Sequence, residues 1–538
     1  MKIYAICLLF ICFLSKSYSQ VFTEVTQPLS AKSIKGYLYS YEKDEDGTNH
    51  VTYKMKLNKN NDDVAFEEFK FDRDLKFLGT EDAREKKVDK PDYERTAFYA
   101  SVGGSTSFDV MSMKLRLRKI VSIRTWDNEY QRYELKKTIL NEAIRPKNDS
   151  GKNYLGLASF NSFKEDRNDV CILAKTESEE KNAGDNYYIL HFDDELEINE
   201  FPIELKGNYI LIYSDQLAND NVVMIFAPRK GSADISNYIF LEYNMSGEIQ
   251  NQIAFKSPAS AMVITSMSEN EGAVFFCGSS AKSDGSYDEE FGEYASISSP
   301  GFIGAENTLD MRWEKRASEK MDNFHLIKIS GKSLDFATTI PVKEFKAKMK
   351  TAPGDKGSTP YEGKKFFIEK FVALANGELL IAGQLSSRVT FAGTSMKAYQ
   401  DIVCFHFSNE GTLKAQYGIG KMNNDKNSEI FPMLQHFYIS DDGKSAYWEM
   451  FEIQGENGYA GFSDAYNGVK TFYALYFPRI CKINLENNSL DKIHIMGDGK
   501  YFLRKLQPKK FDSIDNSVTY IGHDQKWKTL WLGKMKLE

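Results

Sequence analysis

Short apolar segments separated by polar turns recur along most of this chain, and the clearest copy runs from residue 376 to 420. Residues 379–381 (LLI) lie between two glycine-containing turns, which is the pattern of a buried strand. Residues 402–407 (IVCFHF) would be apolar on both faces of a strand, so both faces must be covered. The polar turn 408–411 (SNEG) then leads into a third strand. The pattern favours sheets stacked against sheets over a sheet with one face in water.

The polar residue that ends the second of these strands locates further copies of the unit. In each copy an alternating apolar strand precedes this anchor residue, and another strand follows within a few positions. The anchors are Asp72, Asp193, Asn244, Ser330, Ser408 and Asn484, and a final copy ends at Lys536. The preceding strand recurs at 169–174, 221–227, 272–278, 443–450 and 516–522. The period is irregular because the loop between the two strands varies in length.

Repeated units of this kind predict an all-β protein, a β-propeller of seven or eight four-stranded blades. The gap from Asp72 to Asp193 has room for one more unit, for which residues 120–127 are the candidate, so the blade count stays open. The chain ends in the second-type strand of its last unit. Residues 21–29 are therefore expected to supply the missing outer strand and to close the ring. Long segments with helical periodicity and caps are lacking.

The first residues of the chain have the pattern of a secretory signal. In residues 1–19, Lys2 precedes an apolar run and then small polar residues before Gln20. The run is shorter than the roughly 20 apolar residues that span a bilayer. Residues 20–538 are expected to form a single β-propeller domain, in which residues 20–165 are divergent N-terminal blades and residues 166–538 are clearer ones. Two long inserts interrupt the clearer part, at 279–323 and 453–471, and repeat proteins often bind through such inserts.

The copy at 376–420 resembles the bacterial β-propeller repeat of the SBBP kind. The resemblance lies in the segments GELLIAG, FAG, DIVCF and NEG, which follow one another in that copy. It implies a propeller and no particular activity, since this fold hosts many functions. A signal ending just before Gln20 in a chain rich in Lys and Asn also resembles exported proteins of bacteria with type IX secretion. Such cargo usually ends in a separate sorting domain, whereas this chain ends in a strand, which favours the periplasm over an extracellular or cell-surface location.

Charge and cysteine content narrow the function classes. The net charge is −7, and loss of residues 1–19 removes Lys2 and Lys16, leaving 67 basic and 76 acidic residues, or −9. This balance does not resemble that of a nucleic-acid-binding protein. Four cysteines remain, each in an apolar run without metal-site spacing: Cys171, Cys277, Cys404 and Cys481. Buried free thiols are favoured, and disulfides in three alternative pairings stay open for an exported chain.

Catalytic motifs are absent from the sequence. The histidines form no HExxH motif, and His191, His325 and His406 lie at corresponding places in repeated strands, where packed or hydrogen-bonded side chains are expected. No pair of carboxylates at glycosidase spacing stands out. Residues 366–375 and 433–440 are expected to be inner strands with a mixed polar lining of Glu369, Lys370, Gln435 and His436. The sequence predicts no catalytic residue, no cofactor and no metal.

Two hypotheses for the function follow. The first is a non-enzymatic periplasmic scaffold for protein interaction, with an outer-membrane export complex of type IX secretion as its candidate partner. The second is a carbohydrate-binding or carbohydrate-active propeller. In the second, Tyr459, Phe462 and Tyr466 of the insert 453–471 form the binding site, because aromatic rings on a loop suit sugar stacking as well as protein interfaces. Neither hypothesis involves nucleic acid or a transmembrane segment.

Overall fold

The computed structural model describes most of the chain between Phe22 and Leu537. The described residues are 22–55, 63–102, 115–127, 132–161, 170–176, 185–192, 197–229, 237–259, 261–281, 321–364, 366–391, 394–422, 432–455, 474–503 and 509–537. Nearly all ordered elements in these ranges are strands. They contain one α-helix, Lys343–Ala347, and short 3-10 turns at Ser33–Lys35 and Met496–Gly499. Within the described residues, no helix is long and apolar enough to cross a membrane.

The described residues form two compact units, and the first combines residues up to 88, residues 352–356 and residues from 421 onward. It holds a four-stranded sheet in the order β2 (Tyr37–Lys43), β3 (Asn49–Lys54), β4 (Asp63–Phe71) and β5 (Phe77–Lys86). A ten-stranded sheet follows the order β1 (Phe22–Pro28), β34 (Thr529–Lys536), β33 (Ser517–Asp524), β31 (Tyr501–Leu503), β28 (Ala474–Asn484), β27 (Ser445–Gly455) and β26 (Gln435–Ile439). Beside this path lie β29 (Ser489–Leu490), β30 (His494–Ile495) and β32 (Lys509–Asp512).

The second unit combines residues 89–351 and 357–420 and holds five sheets. Three strands form the sheet β6 (Tyr93–Val102), β7 (Leu115–Asp127) and β8 (Arg132–Ile144). Three four-stranded sheets comprise β9 (Leu155–Asn161), β10 (Val170–Thr176), β11 (Asn186–Phe192) and β12 (Ile198–Ile203); β13 (Tyr209–Gln216), β14 (Val222–Pro228), β15 (Asn237–Tyr243) and β16 (Ile249–Lys256); and β17 (Val263–Asn270), β18 (Ala273–Ser280), β19 (Asn323–Ser330) and β20 (Ser333–Pro341). The last sheet comprises β21 (Met349–Thr351), β22 (Phe366–Ala373), β23 (Leu379–Phe391), β24 (Thr394–Phe407) and β25 (Leu413–Ile419).

Strands that follow one another in the chain are antiparallel neighbours in these sheets. Only β21 departs from this arrangement among the described strands of the second unit, because it pairs in parallel with β25. Meandering four-stranded sheets of this kind are the building blocks of propeller folds. The predicted all-β class and the repeated four-stranded units are therefore confirmed.

Three of the anchor residues found in the sequence lie in the turns between the third and fourth strands of their sheets: Asp72, Asn244 and Ser408. The Asp72 carboxylate accepts hydrogen bonds from two backbone N–H groups further along its turn, at 3.0 and 2.8 Å. The Asn244 side-chain oxygen accepts two equivalent bonds at 3.0 and 2.9 Å. The Ser408 hydroxyl oxygen does the same at 3.3 and 3.1 Å. A short polar side chain is needed at this position because it replaces backbone hydrogen bonds that the turn cannot make.

Apolar cores lie on both faces of the sheet β13–β16 in the second unit. Along β14, Met224 and Phe226 belong to the core shared with the sheet β9–β12. The alternating residues Val223 and Ile225 belong to the next core, together with Phe276 of β18. Successive residues of one strand point to opposite faces, so a strand buried on both faces reads as a continuous apolar run. This explains the continuous apolar run VVMIF at residues 222–226.

Two further predictions concern the pairing of the N-terminal strand and the additional blade at residues 120–127. The N-terminal strand β1 pairs antiparallel with the last strand β34, with Val25 opposite Leu532. Residues 120–127, the candidate for an additional blade, belong to β7, the middle strand of the three-stranded sheet. The described part of the chain therefore shows no four-stranded sheet at that candidate.

The four cysteines downstream of the signal are buried and free. Burial raises the pKa of the Cys171, Cys277 and Cys481 thiols to about 12, and it also raises that of Cys404. Thiols of such high pKa are almost entirely protonated at neutral pH and are poor nucleophiles. The favoured interpretation of the sequence, buried free thiols, is confirmed.

Candidate functional site

The first strand of each repeated sheet lies at the edge of that sheet. This holds for β2, β9, β13 and β17, and for β22, which is the edge strand opposite β21. In the second unit, β17 lies beside both β13 and β22. A hydrogen bond of 3.1 Å from the Asn270 side-chain amide to the Leu374 carbonyl joins the ends of β17 and β22. Polar side chains on β13, β17 and β22 are therefore brought into one region of the second unit.

Every one of these five first strands carries a β-bulge. The extra residue in each bulge has no partner on the second strand, and the five positions are Tyr39, Leu157, Ile212, Thr265 and Glu369. A bulge bends the strand and changes the direction of the side chain at that position. The bulge recurs in all five strands, but the type of residue at the bulge varies. Among the five positions, only Glu369 carries a carboxylate.

Two glycines explain how the second strand accommodates the bulge. Gly383 lies opposite Ile368, and a Cβ atom added at Gly383 would lie 1.9 Å from the Phe367 carbonyl oxygen. Gly278 lies opposite Ile264 in the neighbouring sheet, and its Cβ would lie 2.3 Å from the Val263 carbonyl oxygen. Both distances are far below van der Waals contact, so only glycine fits. The repeated glycine of the sequence thus marks the close approach of the first strand.

Glu369 is the candidate catalytic group of this region. Its side chain is half-buried on β22, and burial raises the pKa of its carboxyl group to about 7, although the neighbouring charge of Lys370 acts in the opposite direction. Among the residues that the structure describes, its carboxylate has no hydrogen-bond donor. A carboxyl group of this pKa exchanges its proton near neutral pH, which suits an acid or base in catalysis.

A second carboxylate lies on the first strand β13. Burial raises the pKa of Asp215, although its carboxylate accepts hydrogen bonds from the Tyr213 hydroxyl at 2.7 Å and the Gln216 backbone N–H at 2.9 Å. Sequence reasoning did not single out this residue. Its local signal is weak, because Asp215 follows the apolar run YILIY within the polar triplet SDQ, where an exposed side chain would be expected.

The other predicted inner strand is β26, which carries Gln435 and His436. The Gln435 side chain is buried, and its oxygen accepts a hydrogen bond of 3.0 Å from the Trp448 indole N–H. Its amide nitrogen finds no acceptor within the described residues. The His436 ring packs edge-on against Phe451, with ring centroids 5.9 Å apart. These two residues contribute to packing in the first unit and are not assigned to the region around Glu369.

The strand histidines are held by hydrogen bonds, as the sequence predicted. His325 is buried between the Ser280 and Thr339 hydroxyl groups, at 2.7 and 3.2 Å from its two ring nitrogens. The ring nitrogens of His406 lie 2.9 Å from the Glu378 carboxylate and 3.1 Å from the Tyr417 hydroxyl. Within the described ranges, no three His, Cys, Asp or Glu side chains are grouped so that they could hold a metal ion.

A buried ion pair joins two strands of the first unit. A guanidinium nitrogen of Arg479 on β28 lies 2.7 Å from the Glu452 carboxylate on β27, and both side chains are almost completely removed from water. Sequence reasoning missed this pair. Its signal was the presence of charged residues inside two long apolar runs, acidic ones in β27 and basic ones in β28, since buried charges require partners of opposite sign.

The predicted aromatic binding residues cannot be placed in this geometry. Tyr459, Phe462 and Tyr466 lie within residues 456–473, outside the described residues. Most of the insert 279–323 also lies outside them. The proposed roles of both inserts stay predictions.

Comparisons with known proteins give matches at the level of structure alone. No protein-family model and no curated protein matches the chain. A similar structure is an α-L-arabinofuranosidase from Fusarium graminearum in complex with an iminosugar inhibitor, with 10% identity over 71% of this chain and 93% of that chain and a TM-score of 0.26. A eukaryotic initiation factor is also similar (9% identity, 90% and 84% coverage, TM-score 0.25). An apocarotenoid oxygenase from Synechocystis is similar as well (9% identity, 87% coverage of both chains, TM-score 0.25).

These matches correct the first hypothesis for the function. They include a glycosidase and an oxygenase, which are enzymes, and they contradict the prediction of a non-enzymatic scaffold docked on an export complex. TM-scores this low transfer no residue role and no substrate, so a specific function has to rest on the residues of this chain.

Proposed function

We propose that this protein is a carbohydrate-active β-propeller in which Glu369 transfers a proton to or from a glycan. The observation that carries the proposal is the half-buried Glu369 carboxyl group on the bulge of β22, whose pKa burial raises to about 7. Strand β17 lies alongside, and its own bulge presents the exposed Thr265. Catalytic groups on rigid strands are held more precisely than groups on loops.

The proposed chemistry follows from the protonation state. Ordinary glutamates are ionised at neutral pH, whereas a group with a pKa of about 7 is protonated in half of the molecules. Glycosidases use such a raised-pKa carboxylic acid to protonate the oxygen of the leaving sugar. Glu369 is proposed as this acid. The exposed ammonium group of Lys370 is proposed to hold polar groups of the glycan beside it.

The proposed architecture has seven blades. Five of them begin with the bulged strands β2, β9, β13, β17 and β22, and a sixth begins with β26. The seventh combines β31, β33 and β34 with the N-terminal strand β1, which pairs with β34. Closure by β1 would leave no unpaired edge at the end of the repeat.

The proposed location is the periplasm. It is supported by the signal-like residues 1–19 and by the resemblance to exported bacterial proteins. A glycan substrate outside the cytoplasm is compatible with this location. Mass measurement of the protein purified from its native cell provides the test, because cleavage of the signal would leave a chain that begins at Gln20.

A polysaccharide panel tests the function. The purified protein is incubated with neutral and acidic polysaccharides, and binding and product release are measured for each. Wild-type protein is expected to bind and convert at least one of them, and Glu369→Gln should lower kcat by about 100-fold or more with little change in KM. Gln keeps the size of the side chain but cannot exchange a proton.

The matched control is Glu410→Gln, a substitution of the same type at an exposed turn of the same sheet. It should leave binding and kcat unchanged. The proposal is overturned if no polysaccharide binds, if bound polysaccharides are never converted, or if Glu369→Gln is as active as the wild type.

A further inference from the structure

The three-stranded sheet β6–β8 separates its charged residues by face. Successive strand residues alternate between the faces, and cross-strand partners share one face. Arg124 lies opposite Tyr93 on one side and Leu135 on the other, and Arg95 lies opposite Ser122. We call this side the arginine face; its basic residues are Arg95, Arg116, Arg118 and Arg124. The acidic residues of the three strands all lie on the opposite face: Glu94, Asp127, Glu134 and Glu142.

Three of the four arginines of this face are not neutralised within the described part of the chain. The guanidinium groups of Arg95, Arg118 and Arg124 have no ion pair with a described carboxylate, and the Nε atom of Arg124 is buried without an acceptor. On the opposite face, by contrast, Arg132 pairs with Glu134 at 2.7 Å. These three arginines create a local positive field in a chain of net charge −7.

One end of the arginine face is aromatic. The Tyr93 and Tyr133 rings meet edge to face with centroids 4.5 Å apart, and Trp126 contacts Tyr133 at 5.2 Å. Tyr93 is 41% exposed. The Lys90 ammonium group lies 3.7 Å from the centre of the Trp126 ring and adds another cation at this end. Aromatic rings with exposed surface next to polar groups are suited to contact with sugar rings.

We infer that the arginine face binds a polysaccharide that carries uronic acid carboxylates. The inference rests on the proposed function and names the class of glycan. The planar guanidinium fork matches a planar carboxylate with two parallel hydrogen bonds. The strip from Arg118 to Trp126 covers eight residue steps of an extended strand, or about 26 Å, which accommodates a chain of several sugar units. The arginine face lies on β6, β7 and β8, which are separate in sequence from β22, the strand that carries Glu369.

Nucleic acid and anionic lipid are less favoured occupants. Nucleic-acid-binding domains are usually basic as a whole and neutralise many successive phosphates, whereas the positive charge here is confined to one face. Binding to an anionic membrane surface relies on a cluster of lysines and arginines together with inserted apolar side chains. The arginine face has its aromatic rings packed against one another instead. Both alternatives are included in the test.

The test compares polygalacturonate with its fully methyl-esterified form, which has the same backbone without the charge. Wild-type protein should bind polygalacturonate at least tenfold more tightly than the ester, because each arginine–carboxylate contact is worth about a tenfold change. The double variant Arg95→Gln/Arg124→Gln should lose about tenfold or more of that affinity. Raising the salt concentration should weaken the wild-type interaction.

The matched control removes two cations from the opposite face, in Arg132→Gln/Lys137→Gln. It should bind polygalacturonate like the wild type, and Glu369→Gln should also bind normally. Unchanged thermal unfolding of each variant shows that its fold is intact.

Five outcomes overturn the inference, and the first four concern affinity. They are equal affinity for the ester, equal affinity for a sulfated polysaccharide, tighter binding to single-stranded DNA or phosphatidylserine vesicles, and loss of affinity in the opposite-face control alone. Conversion of a neutral polysaccharide without any preference for polygalacturonate would overturn this inference while leaving the proposed function intact. Failure of the Glu369→Gln experiment alone would overturn the proposed catalytic role but not the arginine face.

Discussion

The Glu452 carboxylate and the Arg479 guanidinium group lie 2.7 Å apart on neighbouring strands, with both side chains almost completely buried. Such a pair adds little net stability, because the loss of hydration of the two charges offsets their attraction. Removal of only one member of the pair, however, is costly. Deleting one partner leaves the other charge buried and uncompensated.

Substitution of one member of this pair should therefore destabilise the protein strongly. Arg479→Leu is expected to lower the free energy of unfolding by about 3–5 kcal/mol, whereas Glu452→Leu/Arg479→Leu should recover much of that loss. Urea unfolding measures both. The exposed pair Lys444–Glu486 is the control, and its removal should leave the free energy of unfolding nearly unchanged, because water already screens both charges. A double variant as unstable as the single one would contradict this account.

The buried His325 should make stability depend on pH. Burial lowers the pKa of its imidazole to about 4, although a backbone hydrogen bond at Thr338 opposes this. The unfolded chain takes up the proton near pH 6.5 and the folded protein only near pH 4. The contribution of His325 to the free energy of unfolding is therefore complete above pH 6.5. It is lost as the pH falls, and the loss reaches about 3 kcal/mol at pH 4.

The variant His325→Gln provides the check on this dependence. Glutamine can still hydrogen-bond to Ser280 and Thr339 but does not titrate, so its unfolding free energy should fall less between pH 6.5 and 4. Unfolding by urea at several pH values measures the slopes. Parallel slopes for variant and wild type would exclude His325 as the source.

The four buried thiols should be inert in the folded protein. A thiol reagent added to the chain that begins at Gln20 is expected to label no cysteine under native conditions and four in denaturant, because burial keeps the thiols protonated and inaccessible. Mass spectrometry counts the labels. Fewer than four labels in denaturant without reductant would reveal a disulfide.

Glycine at the close approach of β22 and β23 should be indispensable. Gly383→Ala would place its Cβ 1.9 Å from the Phe367 carbonyl oxygen, so the strands must separate at a cost of about 1–3 kcal/mol or more. Glu369 would shift with its bulge, so activity should fall together with stability. Gly443→Ala, which meets no atom within 4 Å but has a positive φ, should cost about 1 kcal/mol and leave activity unchanged. Equal effects of both substitutions on activity would contradict the role of Gly383.

The pH profile of activity should report the protonation of Glu369. Burial raises the pKa of this carboxyl group to about 7, so the acid form is present below pH 7 and is lost as the pH rises through that value. We expect kcat/KM on the best polysaccharide to fall above about pH 7. Initial rates between pH 5 and 9 measure this. A profile that stays flat up to pH 9 would exclude Glu369 as the acid.

The sequence by itself determined the repeating unit and its turns. Gly383, Ser408 and the apolar run around Cys404 are local signals, because close backbone approach, turn hydrogen bonds and burial on both faces each demand a residue type at a fixed position. The same local reasoning identified β22 and β26 as first strands.

Only the tertiary structure decided which polar residues matter. The raised pKa of Glu369 and the pairing of Glu452 with Arg479 both depend on burial, which neighbouring strands create and no short segment encodes. The register of β6, β7 and β8 likewise places Arg95 and Arg124 on one face although they are 29 positions apart in the chain. Desolvation and charge pairing are properties of the packed chain, whereas strand and turn preferences are properties of its segments.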